Sequence, residues 1–142
     1  ADAEQVFGFE QLHDLLGQSD YVVVAVPLTD KTEKLIGEAE LHAMKPDAYL
    51  VNIARGRVID EVALMRALRE GWIGGAGLDV AAQEPLPAES ALYDTPNMIL
   101  TPHISGASER YAERLAELFA DNLRRYRSGQ PLRNLYDPKR EY

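Results

Sequence analysis

Arg55, Asp79, Glu84 and His103 are the polar residues of this chain best placed to do chemistry. Each lies at or just beyond the end of an apolar run. An arginine presents a planar fork that matches the two oxygens of a carboxylate. An imidazole carries a proton near neutral pH. A carboxylate beside that ring fixes its orientation and favours its charged form. Brought to one crevice, such groups supply an anion clamp, an orienting base and a proton carrier. Taken singly, each has an ordinary reading too. Arg55 could be a surface arginine, Glu84 an exposed acid between prolines, His103 a turn histidine and Asp79 a turn cap.

The elements that must position these groups alternate strand and helix. The centre is the stretch Ala48-Tyr-Leu-Val-Asn-Ile-Ala-Arg-Gly-Arg-Val-Ile-Asp60. It reads as a strand over 49–53 suited to burial on both faces, a tight loop at Arg55-Gly56, and a helix from Glu61 capped by Asp60. Upstream, Phe9, Leu12, Leu15 and Leu16 recur at helical spacing, with Gly17 as the stop. A β-branched run over 21–26 reads as a central parallel strand closed by Pro27. A short helix is expected over 38–44, ended by Pro46. The helix from Glu61 carries Leu64, Ala67 and Leu68 on one face and stops at Gly71. Further strands are expected over 77–80 and 98–101, and a last helix over 107–127. Leu115, Leu118, Phe119, Leu123 and Tyr126 form the apolar stripe of that helix. Arg124, Arg125 and Arg127 crowd its last turn, where the dipole favours cations.

Alternation of this kind implies an α/β fold with a doubly wound parallel sheet. In such sheets ligands bind at the carboxyl ends of the strands. Arg55, Asp79, Glu84 and His103 all fall at that edge. His13 and His42 lie on helical stretches and receive no role, and Trp72 is read as packing. The run Gly74-Gly75-Ala76-Gly77 precedes a strand, and no helix opens after it, so it is not a phosphate cradle.

The composition narrows the function classes. The chain has 142 residues and a net charge of −8, which disfavours a nucleic-acid surface. Without cysteine there is no disulfide, thiolate nucleophile or thiolate metal site, and no metal centre is expected. That absence fits an intracellular, cytoplasmic protein. The longest apolar run, over 21–28, is far short of a membrane span, and no membrane partner is expected. The chain opens in polar residues without an initiator methionine, so it is expected to be part of something longer.

Four motifs, taken together, carry a resemblance. They are Val26-Pro27-Leu28-Thr29 with Thr32 and Leu35-Ile36-Gly37; Met44-Lys45-Pro46 leading to Val51-Asn52-Ile53-Ala54-Arg55-Gly56 and Asp60; Gly77-Leu78-Asp79-Val80 with Glu84-Pro85-Leu86; and Thr101-Pro102-His103-Ile104. In this order and spacing, over 9–127, the chain resembles the D-isomer-specific 2-hydroxyacid dehydrogenases. The resemblance implies a Rossmann-type domain acting with NAD, or with NADP, on a small 2-oxo or 2-hydroxy acid. It implies that Arg55 binds the carboxylate and carbonyl of the acid. His103 would donate a proton to the carbonyl oxygen, and Glu84 would hold the other imidazole nitrogen. Asp79 would contact the nicotinamide carboxamide. Pro27, Leu28 and Thr32, with Ile53, Ala54 and Arg55, would line the cofactor groove. Ser105 and Gly106 would approach the nicotinamide beside His103. Formate dehydrogenases of the same superfamily fit less well, because they resemble this pattern with glutamine at the Glu84 position.

The sequence also departs from the family. The glycine-rich turn between a first strand and a helix is absent, as is the residue that selects NAD over NADP. The separate substrate domain is absent too. The expectation is therefore an incomplete Rossmann-type sheet lacking its first βαβ half. Residues 1–142 would be the C-terminal part of a dinucleotide-binding domain, with 129–142 a polar tail. Alone, the piece is expected to be inactive and to self-associate through its exposed sheet edge and uncovered apolar face; the whole enzyme is expected to be a homodimer. A non-enzymatic reading stands beside this one. Transcriptional corepressors that look like this family keep the fold and the three polar groups while sensing NAD(H) as scaffolds.

Overall fold

The structure is a computed structural model that describes residues 3–139. It divides into two compact units, one ending at His103 and one beginning at Ile104. The first unit is built on four parallel strands in sequential order: β1 (Tyr21–Val24), β2 (Tyr49–Asn52), β3 (Gly75–Leu78) and β4 (Met98–Leu100). Three helices connect or precede them: α1 (Leu12–Gln18), α2 (Glu38–Ala43) and α3 (Glu61–Glu70). The parallel register sets Val22, Leu50 and Ala76 side by side, and then Val24, Asn52 and Leu78. All six are buried, and the five apolar ones join Leu16, Leu41, Leu64 and Leu68 of the helices in one core. Each fully buried leucine of that kind contributes about 1.5–3 kcal/mol relative to an exposed one.

Burial on both faces of the strands was the expectation, and within this unit it does not hold. Residues alternate along β1, and the opposite face carries Tyr21, Val23 and Ile99, at 72%, 57% and 71% exposure. Tyr21 stacks on Tyr49 across this open face. The helices α1, α2 and α3 lie against the other face, so the apolar run of β1 exceeds what its own unit buries. The parallel sheet with its helices is nonetheless the α/β, Rossmann-like arrangement expected, and its uncovered face matches an incomplete sheet.

Several boundaries move for identifiable reasons. The ladder ends at Val24 and Asn52, short of 26 and 53, because the Asn52 side chain takes over the next backbone groups. Its Oδ1 accepts the Ala54 N–H at 2.9 Å, and its Nδ2 donates to the Arg55 carbonyl at 3.0 Å. Strand β3 starts at Gly75, two residues earlier than 77, so all of the glycine run but Gly74 lies within the strand. Glycine is a poor strand former, but here close packing overrides propensity. A Cβ on Gly75 would sit 2.7 Å from the Tyr49 ring, and one on Gly74 would sit 2.9 Å from the Asp47 carbonyl oxygen. Gly17 does not stop α1, which runs to Gln18 and closes with Ser19 Oγ on the Leu15 carbonyl at 2.7 Å. Helix α3 starts and stops as expected. Asp60 Oδ1 accepts the N–H groups of Val62 and Ala63, and Gly71 takes the left-handed conformation at φ 73°. Trp72 packs its ring on His42 with centroids 3.8 Å apart, and His13 pairs with Glu40 at 3.0 Å.

The second unit is described by itself. Two successive turns over 104–111 precede α4 (Tyr111–Arg127), which begins four residues later than expected. Leu115, Phe119, Leu123 and Tyr126 are exposed along it. Arg125 pairs with Asp121 at 2.9 Å, and Asn122 exchanges two hydrogen bonds with the Arg133 backbone, which ties the start of the polar tail to the helix. The last three residues of that tail lie outside the described residues. Among the described residues no helix is long and apolar enough to cross a membrane.

Candidate active site

The carboxyl ends of β2, β3 and β4 place the site residues along one rim. Arg55 follows β2 on the turn that Asn52 shapes, and its Nη1 donates to the Ala54 carbonyl at 2.7 Å. Asp79 directly follows β3 and is only 5% exposed. His103 lies three residues past β4, at a backbone φ of 54°. This is the left-handed region, which non-glycine residues seldom enter and which costs of order 1–3 kcal/mol; such residues cluster at functional sites. Two carbonyls hold the strained backbone, since the His103 N–H lies 2.8 Å from the Asp79 oxygen and 3.0 Å from that of Thr101.

Glu84 reaches His103 from the loop after β3. Its Oε2 lies 2.7 Å from His103 Nδ1, while its Oε1 accepts the Ala81 N–H at 2.9 Å. The bond to His103, then the Ala81 amide, holds the Glu84 carboxyl below the usual carboxylate range; the charges of His103 and Arg55 add to this against partial burial. An ionised carboxylate only accepts hydrogen bonds. The Nδ1 therefore carries the proton of that bond, and Nε2 is the nitrogen left to face a substrate. Arg55 follows β2, the strand beside β3, so it stands at the carboxyl end next to the Glu84–His103 pair. A cleft of about 660 Å³ opens here, walled by Leu86, Tyr93, Leu100 and Pro102 and bearing Asp79, Glu84 and His103.

The remaining expected residues fall as follows. Pro27 and Leu28 begin the loop after β1, next to the β2 rim. Thr32 is committed within that loop: its hydroxyl donates to the Pro27 carbonyl at 2.7 Å and accepts the Thr29 N–H at 2.8 Å. It therefore shapes the turn. Ile53 is 44% exposed at the rim, and Ala54 is buried behind it. Ser105 and Gly106 fall in the second unit, in the turns before α4.

Three contributors escaped the sequence reading. Thr101 donates its hydroxyl to Asp79 Oδ1 at 2.5 Å. Asn52 is fully buried and builds the Arg55 turn. Tyr93 walls the cleft. Asn52 had a signal, an amide at an inward position of an apolar strand. The others had none, because their contacts join residues far apart in the chain.

The family model for the D-isomer specific 2-hydroxyacid dehydrogenase NAD binding domain matches residues 1–105. The chain belongs to this family. It is 52% identical over 130 residues to a glyoxylate reductase of Thermococcus gammatolerans, covering 92% of this chain and 39% of that protein. It is 45% identical over 141 residues to glyoxylate/hydroxypyruvate reductase B of Pectobacterium carotovorum, covering 98% and 44%. Among solved structures, a D-isomer specific 2-hydroxyacid dehydrogenase from Xanthobacter autotrophicus in complex with NADPH and MES matches with a TM-score of 0.88 and 40% identity. That match covers 95% of this chain and 55% of the other. The chain thus spans about two fifths of the length of these two reductases and 55% of the solved chain.

The donor set of this family member fits the nicotinamide end of a dinucleotide. A nearly buried acidic side chain, Asp79, stands at the rim between apolar walls, surroundings that suit a carboxamide. Among the described residues no glycine-rich turn joins a strand to a following helix, since β3, which contains the glycines, leads into the Glu84 loop.

Proposed function

We propose that this chain is the catalytic part of the cofactor domain of an NAD(P)-dependent reductase of small 2-oxo acids, interconverting them with D-2-hydroxy acids. The observation that carries this reading is the His103–Glu84 pair, closed at 2.7 Å on the same rim as Arg55. When bound, the nicotinamide supplies or accepts the hydride. Arg55 holds the carboxylate and carbonyl oxygen of the acid through its fork. His103 delivers a proton from Nε2 to the carbonyl oxygen as that oxygen gains charge, and recovers it in the oxidation direction. Glu84 orients the ring through Nδ1 and stabilises the imidazolium. Asp79 accepts from the carboxamide. Pro27, Leu28 and Ile53 line the groove, Thr32 holds the Pro27 turn and Ala54 backs Ile53, with Ser105 and Gly106 following the histidine.

The 142 residues alone are proposed to be inactive, because they lack a phosphate-binding turn. The full-length protein is proposed to act in the cytoplasm as a homodimer. The test is turnover by the full-length protein with NADH or NADPH and a panel of glyoxylate, hydroxypyruvate, pyruvate and phosphohydroxypyruvate. Oxidation of the cofactor with at least one acid is the expected result. Cofactor binding without turnover on any of them would sink the reductase reading and favour a scaffold.

A further inference from the structure

The loop that carries Glu84 is held on both sides of the Ala81–Ala82 peptide. The N–H groups of Ala81 and Ala82 point to two different carboxylates. Ala81 donates to Glu84 Oε1 at 2.9 Å, and Ala82 donates to Glu61 Oε1 at 2.6 Å. Glu61 is the first residue of α3, next to the cap Asp60, and so it belongs to the rigid element that follows the Arg55 turn. The same peptide rests on Gly56, where a Cβ would run into the Ala81 carbonyl carbon and the Ala82 nitrogen. The turn bearing the substrate clamp and the loop bearing the histidine's partner therefore meet at Ala81–Ala82, with Glu61 as the hydrogen-bonding side chain that locks them together.

We propose that Glu61 is a positioning residue for the proton relay: by holding the Ala82 amide it keeps Glu84 in register with His103 and with Arg55. The relay part of this rests on the reductase reading above; the structural part does not. Hydrogen bonds to an ionised acceptor are roughly twice as strong as neutral ones, and this one spans 21 residues of sequence. Without it, the Ala82 amide loses its partner on α3, and the fastening of this peptide to the Arg55 turn rests on the contact with Gly56. Glu84 would then follow the loop away from a ring whose backbone is fixed by Asp79 and Thr101.

The test compares Glu61→Gln with Glu61→Leu. Both remove the charge; only glutamine keeps an oxygen for the Ala82 N–H. In this chain, carbon-detected NMR of the Glu84 carboxyl should give a midpoint in Glu61→Leu that is raised relative to Glu61→Gln. The bonds that depress the Glu84 pKa are those the loop's position maintains. In the full-length enzyme, Glu61→Leu should lower kcat by up to ~10²-fold, the scale of a 1 Å misplacement. The cofactor KM should stay unchanged, and Glu61→Gln should restore most of the rate. An unaltered Glu84 midpoint in Glu61→Leu overturns the proposal. So does an equal shift in both variants, which would mean that charge and not the hydrogen bond matters. If the unmodified full-length protein turns over no 2-oxo acid, the reductase reading fails, while the NMR comparison still decides whether Glu61 positions Glu84.

Discussion

Oε2 of Glu84 meets Nδ1 of His103 at 2.7 Å although 19 residues separate them, and the same carboxylate accepts the Ala81 amide. These bonds hold the Glu84 carboxyl below its ordinary range. A carboxyl with a lowered folded-state pKa stabilises the fold above its unfolded-state value and loses that contribution as pH falls through the folded value. Urea unfolding of Glu84→Gln and the unmodified chain should therefore differ near neutrality. The two should converge in acid, below the usual carboxylate range. A gap that stays constant with pH would show that the pair is not what stabilises the loop.

Loss of the proton donor has a stated scale. In the full-length enzyme, His103→Ala should cut turnover by ~10²–10⁴. The drop should fall on kcat, with cofactor binding retained in a fluorescence titration.

Arg55→Lys should act differently, chiefly by raising KM for the 2-oxo acid, because a point charge cannot reproduce a two-pronged contact. Steady-state kinetics on both variants would separate the two roles. A kinetically silent Arg55→Lys would remove the clamp assignment.

Thr101 holds the nearly buried Asp79 through its hydroxyl. Thr101→Val keeps the shape and removes the donor. A typical intramolecular hydrogen bond contributes about 0.5–1.5 kcal/mol net, so chemical denaturation should show a loss of at least that order. Thr101→Ser should recover most of it.

Asp60 caps α3 and also pairs with Lys34 at 2.9 Å. The Lys34 bond, then the Ala63 amide, lowers its carboxyl. Asp60→Ala should cost about 0.5–2 kcal/mol, the range for a lost cap, measured by urea unfolding at neutral pH. The deficit should shrink in acid as the native carboxyl protonates.

The sequence by itself determined the alternation of strand and helix, because periodicity and breakers act locally. Asp60 and Gly71 bracket α3 through hydrogen bonds and φ values that depend on a few neighbouring residues. It also placed Arg55, Glu84 and His103 at one edge, since parallel strands with crossover helices send every strand's carboxyl end the same way. Tertiary structure alone decided the contacts that join distant segments. The Tyr49 ring over Gly75 turned a glycine run into a strand. Asn52 ended its own strand to build the Arg55 turn, Thr101 found Asp79, and Glu61 found the Ala82 amide. Packing of this kind depends on which side chains meet after the sheet has formed, and no local pattern along the chain encodes that meeting.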